Sequence, residues 1–185
     1  RILVSSSEPT SIEKNYRFLQ ACIDSGHSKH IFLMVNTNCT NIQDRFLKLL
    51  PHFEFVLINA SIDGLGPIND YIRFLSRWET VDKNFRRLVG LADNVKIGIT
   101  PVVQVYNILN IVDLLRYVDS VALEANSDIN VDFLYATDPP YINSQILPYS
   151  VKAEAVRRLE VYKRDSKTYH TQSYLKNSVD SCINM

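Results

Sequence analysis

Five short polar runs in this 185-residue chain hold most of the side chains that could bind or activate a ligand. They are Ser5-Ser6-Ser7-Glu8-Pro9, Asn36-Thr37-Asn38-Cys39, Ser61-Ile62-Asp63-Gly64, Thr100-Pro101 with Gln104 beyond it, and Thr137-Asp138-Pro139-Pro140. Each offers hydroxyl, amide or carboxylate groups, and each follows an apolar run. Small residues beside a carboxylate, as in Ser6-Ser7-Glu8, let a backbone come close to a ligand next to a fixed acceptor. Arg73 follows two glycines, a proline and Asn69-Asp70. Its planar fork suits a carboxylate ligand, or a surface ion pair with Asp70 or Glu79. Turn chemistry alone also favours Ser, Asn, Asp and Pro at such places, so a polar ligand site and a set of ordinary turns both fit.

The elements that would carry these runs alternate. Ile2 to Val4 reads as a strand. Thr10 and Glu13 form a capping box for a helix whose apolar face is Ile12, Tyr16, Leu19, Cys22 and Ile23, ended by Gly26. A strand over Ile31 to Val35 follows, then a helix opened by Asn41 and stopped before Pro51. Phe55 to Ala60 is the next strand, followed by a long loop and a helix from Trp78 to Leu91. Further strands are expected at Val95 to Val103, Val121 to Leu123 and Val131 to Ala136, with a helix at Ile111 to Val118. Helices over Val151 to Lys163 and Tyr169 to Ile183 close the chain. Strands apolar on both faces, separated by amphipathic helices, imply parallel pairing under covering helices. An open doubly wound sheet and a β/α barrel both satisfy that pattern. In either, ligands sit at the C-terminal ends of the strands, where the polar runs stand.

Composition narrows the field. With 46% hydrophobic residues, 20 basic and 20 acidic side chains and a formal net charge of zero, the chain builds a core and carries no field to steer nucleic acid or an anionic membrane. No apolar run reaches the length of a membrane span and no signal segment leads it. Cys22, Cys39 and Cys182 are dispersed, which reads as reduced, cytoplasmic thiols. The four histidines make no metal-ligand spacing, and no CxxC, HExxH, GxSxG or glycine-rich phosphate loop is present. The chain opens at Arg1 on the lip of a strand and closes inside an amphipathic pattern, and it is expected to be a fragment of a longer protein.

In order, these runs resemble the radical S-adenosylmethionine (SAM) superfamily, and within it the twitch-domain radical SAM proteins. "SSEPT" stands where the family has Gly-Gly-Glu-Pro, "NTNCT" matches its Asn-Thr-Asn-Gly pattern, and "SIDG" is unchanged. "NDYIRFLSRW" is similar to the family's Asn-Glu-Tyr-Ile-Arg segment with its following tryptophan, and "DPPYINSQILP" looks like the lead into its C-terminal helices. The resemblance covers residues 1 to 165. It implies a partial (β/α)6 TIM-like barrel, strands two to six being present, over residues 1–148, with truncated C-terminal helices over 149–185. It implies that Ser6, Ser7 and Glu8 contact the methionine amino group of S-adenosylmethionine, Ser61 the ribose region and Arg73 the methionine carboxylate. Asn38 and Asp63 are weaker candidates.

The implied chemistry is reductive cleavage of S-adenosylmethionine at a [4Fe-4S] cluster, giving a 5'-deoxyadenosyl radical that takes hydrogen from a substrate, with flavodoxin or ferredoxin as electron donor. The family's CxxxCxxC motif is absent, and the resemblance places those ligands upstream of Arg1. Ser6-Ser7 replaces Gly-Gly, and Cys39 stands at a usual glycine position. Both departures leave a second expectation open, a degenerate barrel acting as a binding or scaffold module. A different β/α barrel enzyme such as an aldolase would place a lysine at a strand end, and no strand end here carries one.

Overall fold

A computed structural model describes residues 1–4, 8–171 and 173–183. Along the chain run β1 (Ile2–Val4), α1 (Glu13–Asp24), β2 (Phe32–Thr37), α2 (Asp44–Leu49), β3 (Phe55–Ala60), α3 (Pro67–Ile72) and α4 (Trp78–Leu88). Then come β4 (Val95–Ile99), β5 (Val102–Val103), α5 (Ile111–Ala125), β6 (Ile129–Val131), β7 (Leu134–Tyr135), α6 (Tyr149–Asp165), α7 (Lys167–Thr171) and α8 (Ser173–Ile183). Five strands form one parallel sheet in the order β1-β2-β3-β4-β6. A second parallel pair, β5 with β7, prolongs its β4–β6 edge. Asp132 N donates to Ile99 O at 3.0 Å, Leu134 N to Pro101 O at 2.9 Å and Ala136 N to Val103 O at 3.0 Å. The ladder thus continues past Pro101, which has no N–H of its own to give.

The two faces of the sheet differ. Leu33 and Val35 on β2, Val56 and Ile58 on β3, Ile97 and Ile99 on β4 and Ile129 and Val131 on β6 are buried. They share one core with Tyr16 and Leu19 of α1, Phe46 of α2, Val81, Phe85 and Leu88 of α4 and Ile111 to Val118 of α5. The alternate positions face the other way and are less covered: Leu3 is 58% exposed, Lys96 and Asn130 are also exposed, Met34, Asn36, Leu57 and Asn59 are half-buried, and only Gly98 among them is buried. Helices therefore cover one face only, which is one of the two arrangements the apolar strand runs had left open. A doubly wound sheet would bury both faces. One-sided covering of a parallel sheet is compatible with a partial barrel wall, in which the inner face is the open one.

Local chemistry explains the remaining departures from the sequence reading. Thr10 does not cap α1. It lies in a short 3-10 turn, Pro9–Ser11, and Ile12 holds the N-cap position. α2 starts at Asp44 rather than Asn41, and Pro51 sits within the 3-10 turn that continues it. The "long loop" contains α3, started by Gly66 at φ 61° and Pro67 at the first helical position, where a missing N–H costs nothing. The short strand expected at Val121 to Leu123 is the last part of α5, since Val118 and Val121 continue its buried stripe. Asn126, at φ 48°, ends that helix, with Ser127 N closing back on Ala122 O at 3.0 Å.

Gly98 on β4 is a tight spot in this sheet. A Cβ there would lie 3.1 Å from Asn130 Cβ and 3.2 Å from Asn130 O. Gly98→Ala must push β6 away and is expected to lower stability by about 1–3 kcal/mol in chemical denaturation. Unchanged stability would show that β6 yields freely.

Candidate functional site

Glu8 and the polar residues after β2 and β3 stand at the C-terminal end of the sheet. Glu8 leaves β1 and turns its carboxylate onto the end of β2. Thr37 Oγ1 lies 2.9 Å from both carboxylate oxygens, and Asn38 N donates to Oε2 at 3.1 Å. Thr10 N donates to Oε1 at 3.3 Å, and the Thr10 hydroxyl lies 2.5 Å from Oε1 and 2.6 Å from the Asn41 carbonyl. Glu8 thus fastens the exits of β1 and β2 to each other. The Asn38 side-chain Oδ1 in turn accepts from Thr40 N at 2.9 Å and Thr40 Oγ1 at 2.6 Å, a side-chain-closed turn. Between them Cys39 takes φ 60°, the left-handed region that glycine favours, and its carbonyl accepts from buried Asn84 at 2.8 Å. The Cys39 thiol is fully buried. Desolvation first and the Glu8 charge second push it up to about 12.

A second clamp organises the exit of β3. Asp63 is buried, with a side chain only 5% exposed. Its Oδ1 accepts from Val102 N at 2.8 Å, its backbone N donates to Asn69 Oδ1 at 3.1 Å, and its carbonyl accepts from Asn107 Nδ2 at 2.6 Å. One residue thereby joins β3, α3, β5 and the turn before α5. Gly64 leaves no room for a side chain here, because a Cβ would stand 2.8 Å from Ile68 Cγ2 and 3.1 Å from Asn110 Oδ1. Asp63 Oδ2 lies 2.9 Å from Arg73 Nε. The Nε–H is not aligned for a hydrogen bond, so this is a charge contact at the inner edge of the guanidinium. The outer nitrogens of Arg73 have no partner among the described residues. On α3, Asp70 Oδ1 is also buried and unpartnered.

Asn38, Thr40, Asp63, Ile72, Arg73, Phe74, Leu75 and Ser76 enclose a cavity of about 490 Å³, within the size range of small-molecule sites. Three sequence candidates, Asn38, Asp63 and Arg73, meet there. Arg73 pairs with Asp63, not with Asp70 or Glu79. Ser61 is half-buried at the end of β3, its backbone N donating to Thr37 O at 2.8 Å, and its side chain is not part of the cavity wall. Ser6 and Ser7 lie outside the described residues. Sequence reading passed over Phe74 and Leu75, which are 87% and 84% exposed on the cavity rim, Leu75 in a left-handed conformation at φ 69°. A bulky residue at positive φ in a loop was invisible without coordinates.

No group of three or more described His, Cys, Asp or Glu residues could hold a metal ion. Cys22 is half-buried, Cys39 and Cys182 are buried, and all three are free thiols.

Two measurements check this description. Glu8→Gln turns an amide nitrogen toward Thr10 N or Asn38 N and is expected to cost about 1–3 kcal/mol in thermal or urea unfolding. Cys39 carries a pH signature. Its pKa is raised from 9.0 to about 12, so below pH 9 it binds its proton in both states and contributes no slope. Between those values the unfolded chain ionises while the folded one does not, and stability falls as pH rises. Urea denaturation at increasing pH should show a steeper loss for the native chain than for Cys39→Ala, and equal slopes would contradict the buried, protonated thiol.

No protein-family model matches the sequence, and no curated protein matches it. Solved structures do match the fold. SuiB of Streptococcus suis superposes with a TM-score of 0.58 at 16% identity over 90% of this chain and 37% of its own. SuiB bound to S-adenosylmethionine gives 0.58 at 19% identity over 92% and 36%. A domain of pyruvate-formate lyase-activating enzyme from Bacteroides vulgatus ATCC 8482 gives 0.56 at 15% identity over 87% and 93%. This chain thus spans little more than a third of SuiB's length and nearly all of the second domain. At these identities the likeness shows the fold alone, an α/β arrangement built on a parallel sheet of five strands.

Proposed function

We propose that this chain is the S-adenosylmethionine-binding part of a twitch-type radical SAM enzyme, its sheet being strands two to six of a partial (β/α)6 barrel. The observation that carries the reading is Arg73. Its inner edge is held by buried Asp63, while its outer nitrogens remain unpaired beside a nucleoside-sized cavity at the strand ends. That leaves a two-pronged donor for a carboxylate. Arg73 would take the methionine carboxylate, Glu8 with the Ser6-Ser7 backbone the amino group, and Ser61 the ribose region. Asn38 holds the turn under the cavity, and Asp63 is a positioning residue rather than a direct ligand.

The described residues do not fit a [4Fe-4S] cluster, so this chain's share of the work is to bind and orient the nucleotide. In radical SAM enzymes the cluster supplies the electron for cleavage; we place its ligands, and the contact for a flavodoxin- or ferredoxin-like donor, on other parts of the protein. A second reading, a non-catalytic binding module, draws on Glu8, whose carboxylate already has donors from its own chain on both oxygens.

Equilibrium dialysis with labelled S-adenosylmethionine tests the proposal. The native chain should bind, and Arg73→Gln should weaken binding by roughly tenfold or more, the loss of a charge-assisted forked contact. Absence of binding by the native chain, or equal binding by Arg73→Gln, would shift the reading to the binding module.

A further inference from the structure

Gln104 stands just past the end of β5, and its side chain takes no part in the clamps around Glu8 and Asp63. Only 7% of the residue is exposed. Its backbone is fully engaged: the N–H donates to Asn107 Oδ1 at 2.8 Å, and the carbonyl accepts from Asn107 N and Ile108 N, both at 3.2 Å. The side-chain amide has no hydrogen-bond partner among the described residues. Nor is it sealed off, because the fully enclosed unpartnered side-chain atoms among the described residues are Asp70 Oδ1 and Arg73 Nε. A side chain more than nine-tenths buried thus keeps a bare donor–acceptor pair within reach of a ligand. An amide held in this way costs stability until something bound supplies its partners.

Two braces set this amide beside the cavity. Asn107, whose Oδ1 holds the Gln104 N–H, donates from Nδ2 to the Asp63 carbonyl at 2.6 Å and to the Val102 carbonyl at 2.8 Å. Asp63 in turn holds Arg73. Tyr71 of α3, two residues before Arg73, meets Tyr106, two residues after Gln104, with ring centroids 5.2 Å apart. Arg73 and Gln104 therefore stand on adjoining segments of one rim. Since β5 prolongs β4, Gln104 lies one strand beyond the exit of β3 and three beyond that of β1. At the usual strand spacing that is roughly 14 Å across from Glu8.

We infer that Gln104 is the contact for the base of the bound nucleotide, its amide taking the adenine edge that carries the 6-amino group. This rests on the S-adenosylmethionine site proposed above. There the charged groups of the ligand already have charged partners, Arg73 for the carboxylate and Glu8 for the amino group. The part left over is a neutral ring, and the group left over in the protein is a neutral amide. Adenine offers an N–H donor beside a ring-nitrogen acceptor, the complement of a side-chain amide, and a glutamine reads that edge with two parallel hydrogen bonds. The width between Glu8 and Gln104 suits a ligand with an amino acid at one end and a base at the other.

The test uses ligand-observed NMR titrations of the whole chain with two probes, adenosine and purine riboside, which has hydrogen in place of the 6-amino group. Adenosine should bind the native chain roughly tenfold more tightly, the worth of one hydrogen bond. Gln104→Leu should bind both probes equally, at the weaker level, and Gln104→Ala should do the same without a leucine that could block the site. Because the amide has no partner in the folded chain, Gln104→Leu should also melt at the native temperature or above it. Equal binding of the two probes by the native chain, a preference that survives in both variants, or a melting point several degrees lower in Gln104→Leu would overturn the inference. S-adenosylmethionine binding by the variants separates this claim from the one it rests on. If binding falls on Arg73→Gln and not on Gln104→Leu, the nucleotide site stands and the base contact falls. If the preference for adenosine depends on Gln104 while Arg73→Gln binds S-adenosylmethionine as the native chain does, the base contact stands and the carboxylate contact falls.

Discussion

Burial of the Asp63 carboxylate is the constraint on which this end of the molecule depends. A buried carboxylate is costly unless it is paired and hydrogen-bonded, and Asp63 meets that demand with Val102 N and the Arg73 guanidinium. Satisfying it draws β5 alongside the exit of β3 and fixes the place where α3 ends. Arg73 then has little choice of direction. Asn69 and Asn107, both fully buried, secure the same backbone from either side through the Asp63 N–H and carbonyl. Glu8 repeats the scheme one strand over, where its acceptors collect the free N–H groups of the turn after β2. Each carboxylate stitches two strand ends together, and the cavity is the space between the stitches.

The same two clamps explain why the strand ends carry small residues. Gly64 has Ile68 and Asn110 against it, so its lack of a side chain is a matter of space and not of backbone angle. Cys39 is the reverse case, a side chain in a backbone conformation that suits glycine, kept in place by the bonds of its own N–H to Thr37 and its carbonyl to Asn84. These bonds offset the strain of an L-residue at positive φ, of order 1 kcal/mol.

Much of the fold could be read from residues alone where one physical signal dominated. Phe55 to Ala60 is an apolar run interrupted only by Asn59, between Glu54 and Ser61, and β3 has those bounds. Signals failed where two of them competed. Gly64, Gly66 and Pro67 suggested a loop, yet Pro67 was also a helix start, and α3 follows it. Val121 to Leu123 has strand-forming residues, but the spacing of Val118 and Val121 kept it in α5. The one-sided covering of the sheet was hidden because Phe32, Met34, Phe55 and Leu57 are as apolar as the residues that face the helices. In the site, residue types at strand ends pointed to Asn38, Asp63 and Arg73. Nothing in their spacing revealed that Asp63 would hold Arg73, and the donors of Glu8, Thr10 and Thr37, read as a helix cap and as part of a strand end.

The pairing of Arg73 with Asp63 also sets a rule of charge balance. The guanidinium's positive charge is already matched inside the protein, and Asp70 adds a second carboxylate three residues before it. An anion arriving at the outer nitrogens finds good donor geometry but no surplus of positive charge. A simple carboxylate or phosphate would leave the cavity negative, which a partly desolvated site resists. A zwitterion brings its own cation and leaves the sum unchanged. For the cofactor role proposed above, that balance favours a molecule in which a carboxylate and a positive centre sit close together, as they do in an α-amino acid.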